Sequence, residues 1–398
     1  MAKKTVLASS LFAFISGIML SSALAAGSIK IGVMLPLTGR QAEFGRIQQK
    51  AVLMAAEEIN AGGGVNGKKI EPIIADTKGR PDAGRAAIKK LIRQDNVLVI
   101  AGGFSSSATW ATGSVAQQNK IPFVVTGAAA DKITEQGWEY IFRLNQPVSE
   151  RLDAVADFVS TINSVTSEIR SVAIVYANSL RHAAHARQFF KNAGKLGLKP
   201  VIREHFETGT ADFRPLLNRI KAKNPDLIYS VADNSEGAAM MVRQLKEMKL
   251  NLKLFVGDGN SFVQPEFAAH AGQAAEHIFS TAVWAPTPAH RESEAFNQKF
   301  IARYRTRPEH YGAEAYAGIT VIGDALKRTK VLTPKNIRDA LANTNLMTVL
   351  GPVKFVSYNN KSQQNKLPAF LLQWLDGKTE IVWPKHLATK KYVYPIPK

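Results

Sequence analysis

Short apolar stretches alternate along the chain with segments whose apolar residues recur at helical spacing. Ile29 to Leu35 is typical of a buried strand, and the apolar residues from Ile47 to Ile59 follow with the spacing of one helix face. After a pause, a second series begins near Ser149 and runs to the strand Leu254 to Gly257. The repeated order of strand and helix predicts an α/β protein with two doubly wound, Rossmann-like lobes, each a parallel sheet covered by helices.

One junction between a strand and a helix has the composition of an anion site. The apolar strand Val97 to Ile100 runs into glycines and then into Ser105, Ser106 and Ser107, and a helical pattern follows from about Ala108. The first turn of a helix has unpaired N–H groups and the positive end of the helix dipole, so it can hold a carboxylate without a metal. Serine is also a preferred N-cap residue, which leaves simple capping as the alternative.

The first 25 residues have the pattern of a secretory signal peptide. Lys3 and Lys4 precede the apolar run Val6 to Leu20, and Ala23-Leu24-Ala25 resembles a cleavage site. The run is too short to span a bilayer well, so we expect an exported chain that is soluble outside the cytoplasm. The sequence has no cysteine, which excludes disulfides, thiol nucleophiles and a lipid anchor on a cysteine.

The chain is strongly basic, with 51 Lys and Arg against 32 Asp and Glu and a formal net charge of +19. Such a charge is compatible with nucleic acid, an anionic surface or an acidic ligand. The basic residues are scattered along amphipathic helices rather than gathered in one arm. We therefore expect a solvated basic surface, and export further disfavours a nucleic-acid partner.

Signatures of enzymes and of metal sites are weak. Gly62 to Lys69 contains Gly-x-x-x-x-Gly-Lys, but the loop leaves a helix and enters a strand, which is the reverse of a phosphate loop. His182 and His185 are three apart on a predicted helix, but no third ligand shares their segment, so surface histidines are the expectation. We predict no catalysis, no metal and no cofactor.

Two segments of the first series have a distinctive composition. Leu35-Pro36-Leu37-Thr38-Gly39 is followed by Ala42, Phe44 and Gly45, and then by Glu58-Ile59-Asn60-Ala61-Gly62-Gly63-Gly64-Val65-Asn66-Gly67. This order resembles the opening of the leucine/isoleucine/valine-binding proteins of ABC importers, which are periplasmic substrate-binding proteins of the type I, Venus-flytrap fold. Shorter matches extend over nearly the whole mature chain: Asp76 with Pro81 and Ala83, Ser105 to Ser107, Ile121-Pro122, Phe142-Arg143, Asp212-Phe213, Pro225-Asp226, Tyr304 to Pro308 and Tyr316-Ala317.

The resemblance implies two lobes joined by three crossovers, which close on a small ligand and present it to the membrane subunits of an ABC permease. It places the signal peptide at 1–25, the first lobe at 27–147 and 284–354, and the second lobe at 148–283 and 355–398. It also implies a monomer in the periplasm that binds a small carboxylate, such as an amino acid of the branched-chain type.

Carried onto this sequence, the resemblance places the carboxylate pocket on Ser105 and Ser106 and on the segment Gly127, Ala128 and Ala129. Phe44 would be an aromatic lid, and Asp233 aligns with an aromatic contact. Ala129 stands where relatives more often have threonine, so one hydrogen bond to the carboxylate is missing. The family's acidic partner for a ligand ammonium aligns with Asp258 if the alignment has a gap of one position. Without that gap it aligns with Gly259.

Arg181 aligns with a tyrosine of the family. It would offer a planar fork to a second anionic group, or else lie in solvent beside the helix N-terminus. The ligand class therefore stays open between amino acids and aromatic or aliphatic acids or amides without an amine. Transport also stays open against a role as the ligand-sensing partner of a membrane receptor.

Overall fold

The computed structural model describes residues 27–166, 168–286 and 291–397. The predicted signal peptide, 1–25, lies outside the described residues. Within them, two seven-stranded sheets form the centres of two lobes, and a separate two-stranded ribbon pairs Leu346–Thr348 with Gly351–Val353. The two doubly wound sheets predicted from the alternation are confirmed. No helix in the described ranges combines the length and the apolar character needed to cross a membrane.

The first sheet has five parallel strands and a hairpin at one edge. Its helices are Ala42–Ala61, Pro81–Arg93, Ser106–Gln118, Arg291–Tyr304, Glu309–Arg328 and Pro334–Ala342. In spatial order its strands are Phe355–Tyr358, Lys361–Asn365, Ile141–Arg143, Phe123–Val125, Val99–Gly102, Ile29–Leu35 and Ile70–Asp76.

The second sheet repeats this arrangement, again with a hairpin at one edge. Its helices are Asp153–Thr166, Leu180–Ala193, Arg214–Lys223, Ser235–Glu247 and Pro265–Ala271. In spatial order its strands are Lys378–Trp383, Phe370–Leu375, Phe279–Ala282, Leu254–Asp258, Leu227–Val231, Ser171–Ala177 and Lys199–Phe206. The second series begins, as predicted, near Ser149, with the short helix Val148–Arg151 followed by Asp153–Thr166.

The core of the first lobe depends on close contact between two long helices. Ala42–Ala61 packs along Glu309–Arg328, where Ala313, Ala317 and Ile319 are fully buried. Small side chains in this helix let the two backbones approach, and the branched residues of the sheet fill the space beneath them. This packing places the N-terminal ends of both helices beside each other.

The structure corrects one boundary of the predicted lobes. The segment 355–365 was assigned to the second lobe, but Lys361–Asn365 pairs in parallel with Ile141–Arg143 at the edge of the first sheet. The reason is that the polar side chains of Gln364 and Asn365 hydrogen-bond the neighbouring backbone at Asn145 and Leu144. The strands therefore change sheet after Arg143, after Ala282 and after Asn365, which gives the three predicted crossovers.

Candidate functional site

The serine turn forms where the strand Val99–Gly102 ends. A Cβ atom at Gly102 would overlap the Met34 carbonyl oxygen, so the sharp turn requires glycine, whose φ here is 109°. The helix begins at Ser106, and Ser105 occupies the N-cap position without a capping hydrogen bond from its side chain. Ser106 Oγ instead accepts the Ala130 N–H at 3.2 Å. Neither Ser105 nor Ser106 therefore caps the helix through its side chain in this structure, and the Ser106 hydroxyl still has a proton to donate.

The loop after the next strand lies against this turn. The N–H groups of Gly127 and Ala128 both donate to the Gly103 carbonyl, at 3.1 and 2.9 Å, and the Ala129 carbonyl accepts the Val148 N–H at 2.8 Å. Ala128 is fully buried, so a ligand at this loop would meet its neighbours before its side chain. The Gly127 N–H is likewise already bonded, and the half-buried members of the predicted pocket are Ser105, Ser106, Gly127 and Ala129.

The side chain of Arg143 holds the part of the chain that follows Ala129. The side chain is fully buried and donates to the Ala130 carbonyl at 2.6 Å, to Thr134 Oγ1 at 2.8 Å and to Gln364 Oε1. Burial lowers the pKa of the guanidinium to about 10, against the opposing charge of Asp131, and the group remains a cation at neutral pH. Sequence reasoning noted Phe142-Arg143 only as a match and missed this role, because the three acceptors are separated along the chain.

An aromatic cluster joins the serine turn to the space between the lobes. Phe44 stacks on Phe104 with ring centroids 5.4 Å apart, and Tyr311 packs against both rings at 4.9 and 5.2 Å. Gly45 lets the helix start this close, since a Cβ there would overlap the Pro36 carbonyl oxygen. Phe44 was predicted; Phe104 and Tyr311 were not, although Phe104 directly follows the glycines of the serine turn.

A cleft of about 440 Å³ opens between the lobes beside this cluster, within the range of about 300–1,000 Å³ typical of ligand pockets. The second lobe contributes His182, His185, Asp233, Asp258 and Thr281, and the helix Val148–Arg151 contributes Arg151. The first lobe contributes Glu43, Phe44, Glu309, His310 and Tyr311. The structure thus brings together three of the predicted residues, Phe44, Asp233 and Asp258, while Ser105, Ser106, Gly127 and Ala129 do not line this cavity.

Asp258 ends a strand of the second sheet and is held by hydrogen bonds from several directions. Its Oδ1 accepts from Thr281 Oγ1 at 2.7 Å, and its Oδ2 lies 2.9 Å from His185 Nδ1. Gly259, the alternative to Asp258 in the sequence, donates its N–H to Thr281 Oγ1 at 3.1 Å. Burial alone would raise the pKa of Asp258, but His185, the Tyr229 phenol and Thr281 hold it well below its usual range. The group is a carboxylate at any neutral pH.

The histidines of the helix Leu180–Ala193 do not behave as solvated surface residues. His185 is 26% exposed, faces the cleft and pairs with Asp258, so the expectation of an exposed histidine is wrong for this residue. His182 is half-buried, and its Nδ1 lies 2.8 Å from Ser179 Oγ. The side chain of Arg181 lies outside the described residues. The pairing of His185 was not visible in the sequence because 73 positions separate it from Asp258.

Residues 28–379 match the family model for periplasmic binding protein. The chain belongs to the periplasmic binding protein family. This family consists of solute-binding proteins, and the resemblance to leucine/isoleucine/valine-binding proteins seen in the sequence is confirmed.

Relatives cover most of this periplasmic binding protein. An amino acid binding protein of Pseudomonas aeruginosa is 28% identical over 85% of this chain and 88% of its own. A leucine-, isoleucine-, valine-, threonine- and alanine-binding protein of the same organism is 26% identical over 84% and 87%. The branched-chain amino acid transporter substrate binding protein LivJ of Streptococcus pneumoniae, solved with isoleucine, is 25% identical, covers 93% of this chain and 100% of its own, and has a TM-score of 0.70.

Proposed function

We propose that this protein is the exported solute-binding component of an ABC importer. It captures a small carboxylate between its lobes in the periplasm and delivers it, as a monomer, to the permease subunits of the membrane. The observation that carries the proposal is the cleft of about 440 Å³, to which both lobes contribute walls and polar groups. Its relatives are named for amino acids, so an amino acid of the branched-chain type or a related acid is the proposed ligand.

We place the carboxylate end of the proposed ligand at the serine turn, which adjoins the cleft through the stacked rings of Phe104 and Phe44 and does not itself line it in this structure. Ser106 Oγ accepts from the Ala130 N–H and can therefore turn its own hydrogen toward a ligand oxygen, at the N-terminus of a helix of 13 residues. The aromatic rings of Phe44, Phe104 and Tyr311 give the adjoining apolar wall. Such a surface suits an acid with an apolar or mixed body.

Hydrogen bonds connect the crossovers to the loop that contains Ala129. Val148 N–H donates to the Ala129 carbonyl at 2.8 Å, at the start of the first crossover. Gln146 Nε2 donates to the Leu367 carbonyl at 3.1 Å, and Gln364 Nε2 donates to the Asn145 carbonyl at 3.0 Å, which ties the first crossover to the third. A ligand shifts the equilibrium from the open to the closed form only if it binds the closed form more tightly. Closure therefore depends on ligand contacts with both lobes.

A ligand screen followed by a measurement of shape tests the proposal. Melting temperature is recorded with each of the common amino acids and with a matched series of amine-free acids, since a ligand that binds only the folded protein raises its apparent stability. Small-angle scattering then compares the radius of gyration with and without each stabilising compound. A rise in melting temperature together with a smaller radius supports the proposal. Stabilisation by no acid of either series, or binding without compaction, contradicts it.

A further inference from the structure

The cleft contains an arginine whose charge is unpaired within the part of the chain that the structure describes. Arg151 ends the helix Val148–Arg151, is half-buried and lines the cavity between the lobes. Its Nε atom is buried without a hydrogen-bond partner in the described ranges, and no carboxylate there forms an ion pair with its guanidinium. Arginine is a cation at neutral pH whatever its surroundings, so this charge is permanent. A partly desolvated cation without a counterion favours the binding of an anion.

Glu314, the acidic residue whose charge interacts with that of Arg151, does not compensate it. Its side chain is 3% exposed, and its Oε2 atom has no hydrogen-bond partner among the described residues. Burial raises the pKa of Glu314 to about 8, against the opposing effect of Arg151, so most of this carboxyl is protonated and uncharged at pH 7. The positive charge of Arg151 is therefore left for a ligand.

The acidic residues elsewhere in the cleft make the surroundings of Arg151 the favourable place for a ligand carboxylate. A carboxylate placed against another carboxylate is repelled, whereas a guanidinium donates charge-assisted hydrogen bonds to it. The deeply set Asp258 already accepts hydrogen bonds from Thr281 and His185, at 2.7 and 2.9 Å, and offers an anion no donor of its own. The other acidic residues that line the cavity are Glu43, Asp233 and Glu309.

The short helix that contains Arg151 is bound to the first lobe from two directions. The Val148 N–H donates to the Ala129 carbonyl at 2.8 Å, and Glu150 Oε1 accepts from the Tyr358 hydroxyl at 2.6 Å. These contacts hold the helix at the first crossover, where the chain passes from one sheet to the other. An anion bound by Arg151 is therefore attached to the segment that joins the lobes.

We propose, on the basis of the proposed binding function, that Arg151 contacts the ligand and pairs with one of its carboxylates inside the cleft. The planar guanidinium can donate two parallel hydrogen bonds to a carboxylate. A neutral amide of the same shape replaces one accepting oxygen by an NH₂ donor and has no charge, so it is bound less well. Ser106 and Arg151 are then separate contacts, and the ligand class is acids rather than the corresponding amides.

Two matched pairs of compounds test the assignment by titration calorimetry at pH 7: L-leucine with L-leucinamide, and L-glutamate with L-glutamine. The first pair replaces the α-carboxylate and the second replaces the side-chain carboxylate. We expect the native protein to bind at least one of the two acids ten-fold or more tightly than its amide. Arg151→Gln removes the charge, so the ratio for that pair should fall about ten-fold, and the pair that responds identifies the carboxylate held by Arg151.

The ratio separates a ligand contact from a structural role. A general distortion of the cleft weakens the acid and its amide alike, and so leaves their ratio unchanged. Arg243→Gln, at an exposed arginine of the helix Ser235–Glu247, changes the net charge by the same amount and should keep the native ratio. Circular dichroism and melting without ligand establish that each variant is folded.

Three results overturn the inference. They are an equal ratio in native and Arg151→Gln protein, equal binding of acid and amide by the native protein in both pairs, and no binding of any of the four compounds. Each leaves the importer proposal standing if another acid of the broad screen stabilises and compacts the protein. Failure of the importer proposal is a different result, in which no acid of that screen does so.

Discussion

Glu314 gives a prediction that depends on burial alone. It lies in the helix Glu309–Arg328, is 3% exposed, and its Oε2 has no hydrogen-bond partner among the residues that the structure describes. Burial raises the pKa of this carboxyl from its ordinary 4.5 to about 8, although the charge of Arg151 opposes the rise. The carboxyl is therefore protonated and neutral in the folded protein at pH 7.

The pKa difference between the folded and unfolded chains fixes the sign of a pH effect. Between pH 4.5 and about 8 the folded protein keeps the Glu314 proton and the unfolded chain has lost it, so the free energy of unfolding falls as pH rises. At about 1.4 kcal/mol per pH unit, this interval corresponds to roughly 5 kcal/mol. Glu314→Gln has a neutral side chain of the same shape at every pH, so it should remove this fall.

Urea unfolding at pH 5, 7 and 9 measures the effect. Native protein and Glu314→Gln should have similar midpoints at pH 5, and the variant should be more stable by several kcal/mol at pH 9. Glu292→Gln, an exposed glutamate of the helix Arg291–Tyr304, is the matched control and should follow the native curve. Parallel pH dependence in the native protein and Glu314→Gln would refute the reasoning, because it would mean that Glu314 ionises in the folded protein as it does in the unfolded chain.

Three further predictions concern the ligand site and its support. Ser106→Ala should weaken binding of the screened acid about ten-fold or more, since a hydrogen bond to a charged group contributes about 1.5–3 kcal/mol. The exposed neighbour variant Ser107→Ala should bind as native, and equal affinities of native and Ser106→Ala protein in titration calorimetry would remove Ser106 from the site. Arg143→Met leaves the Ala130 carbonyl and two buried side chains without their donor. Urea unfolding should therefore show a free energy of unfolding lower by about 3 kcal/mol or more, and a decrease below about 1 kcal/mol would contradict the network. Arg181→Tyr should shift preference from dianionic acids toward apolar-ended ones and make binding less dependent on salt; unchanged preferences and salt slopes would place Arg181 at the surface.

The alternation of apolar segments determined the architecture before any tertiary contact was known. The strand Ile29–Leu35 lies where the sequence predicts it, because buried strands and amphipathic helices have different apolar periods. The serine turn was also predictable, since glycine and serine at the end of an apolar strand indicate a sharp turn into a helix.

The tertiary structure alone decided which distant residues meet. The polar strand Lys361–Asn365 lacks an apolar period, and it joins the first sheet because Gln364 and Asn365 satisfy backbone groups near residue 145. The pairing of His185 with Asp258 and the three acceptors of Arg143 likewise bring together segments far apart in the chain. Local periodicity reflects only which face of an element is buried, whereas such pairs are set by how the packed elements orient their polar side chains. The contact between His185 and Asp258 in the cleft was therefore decided by the tertiary structure alone.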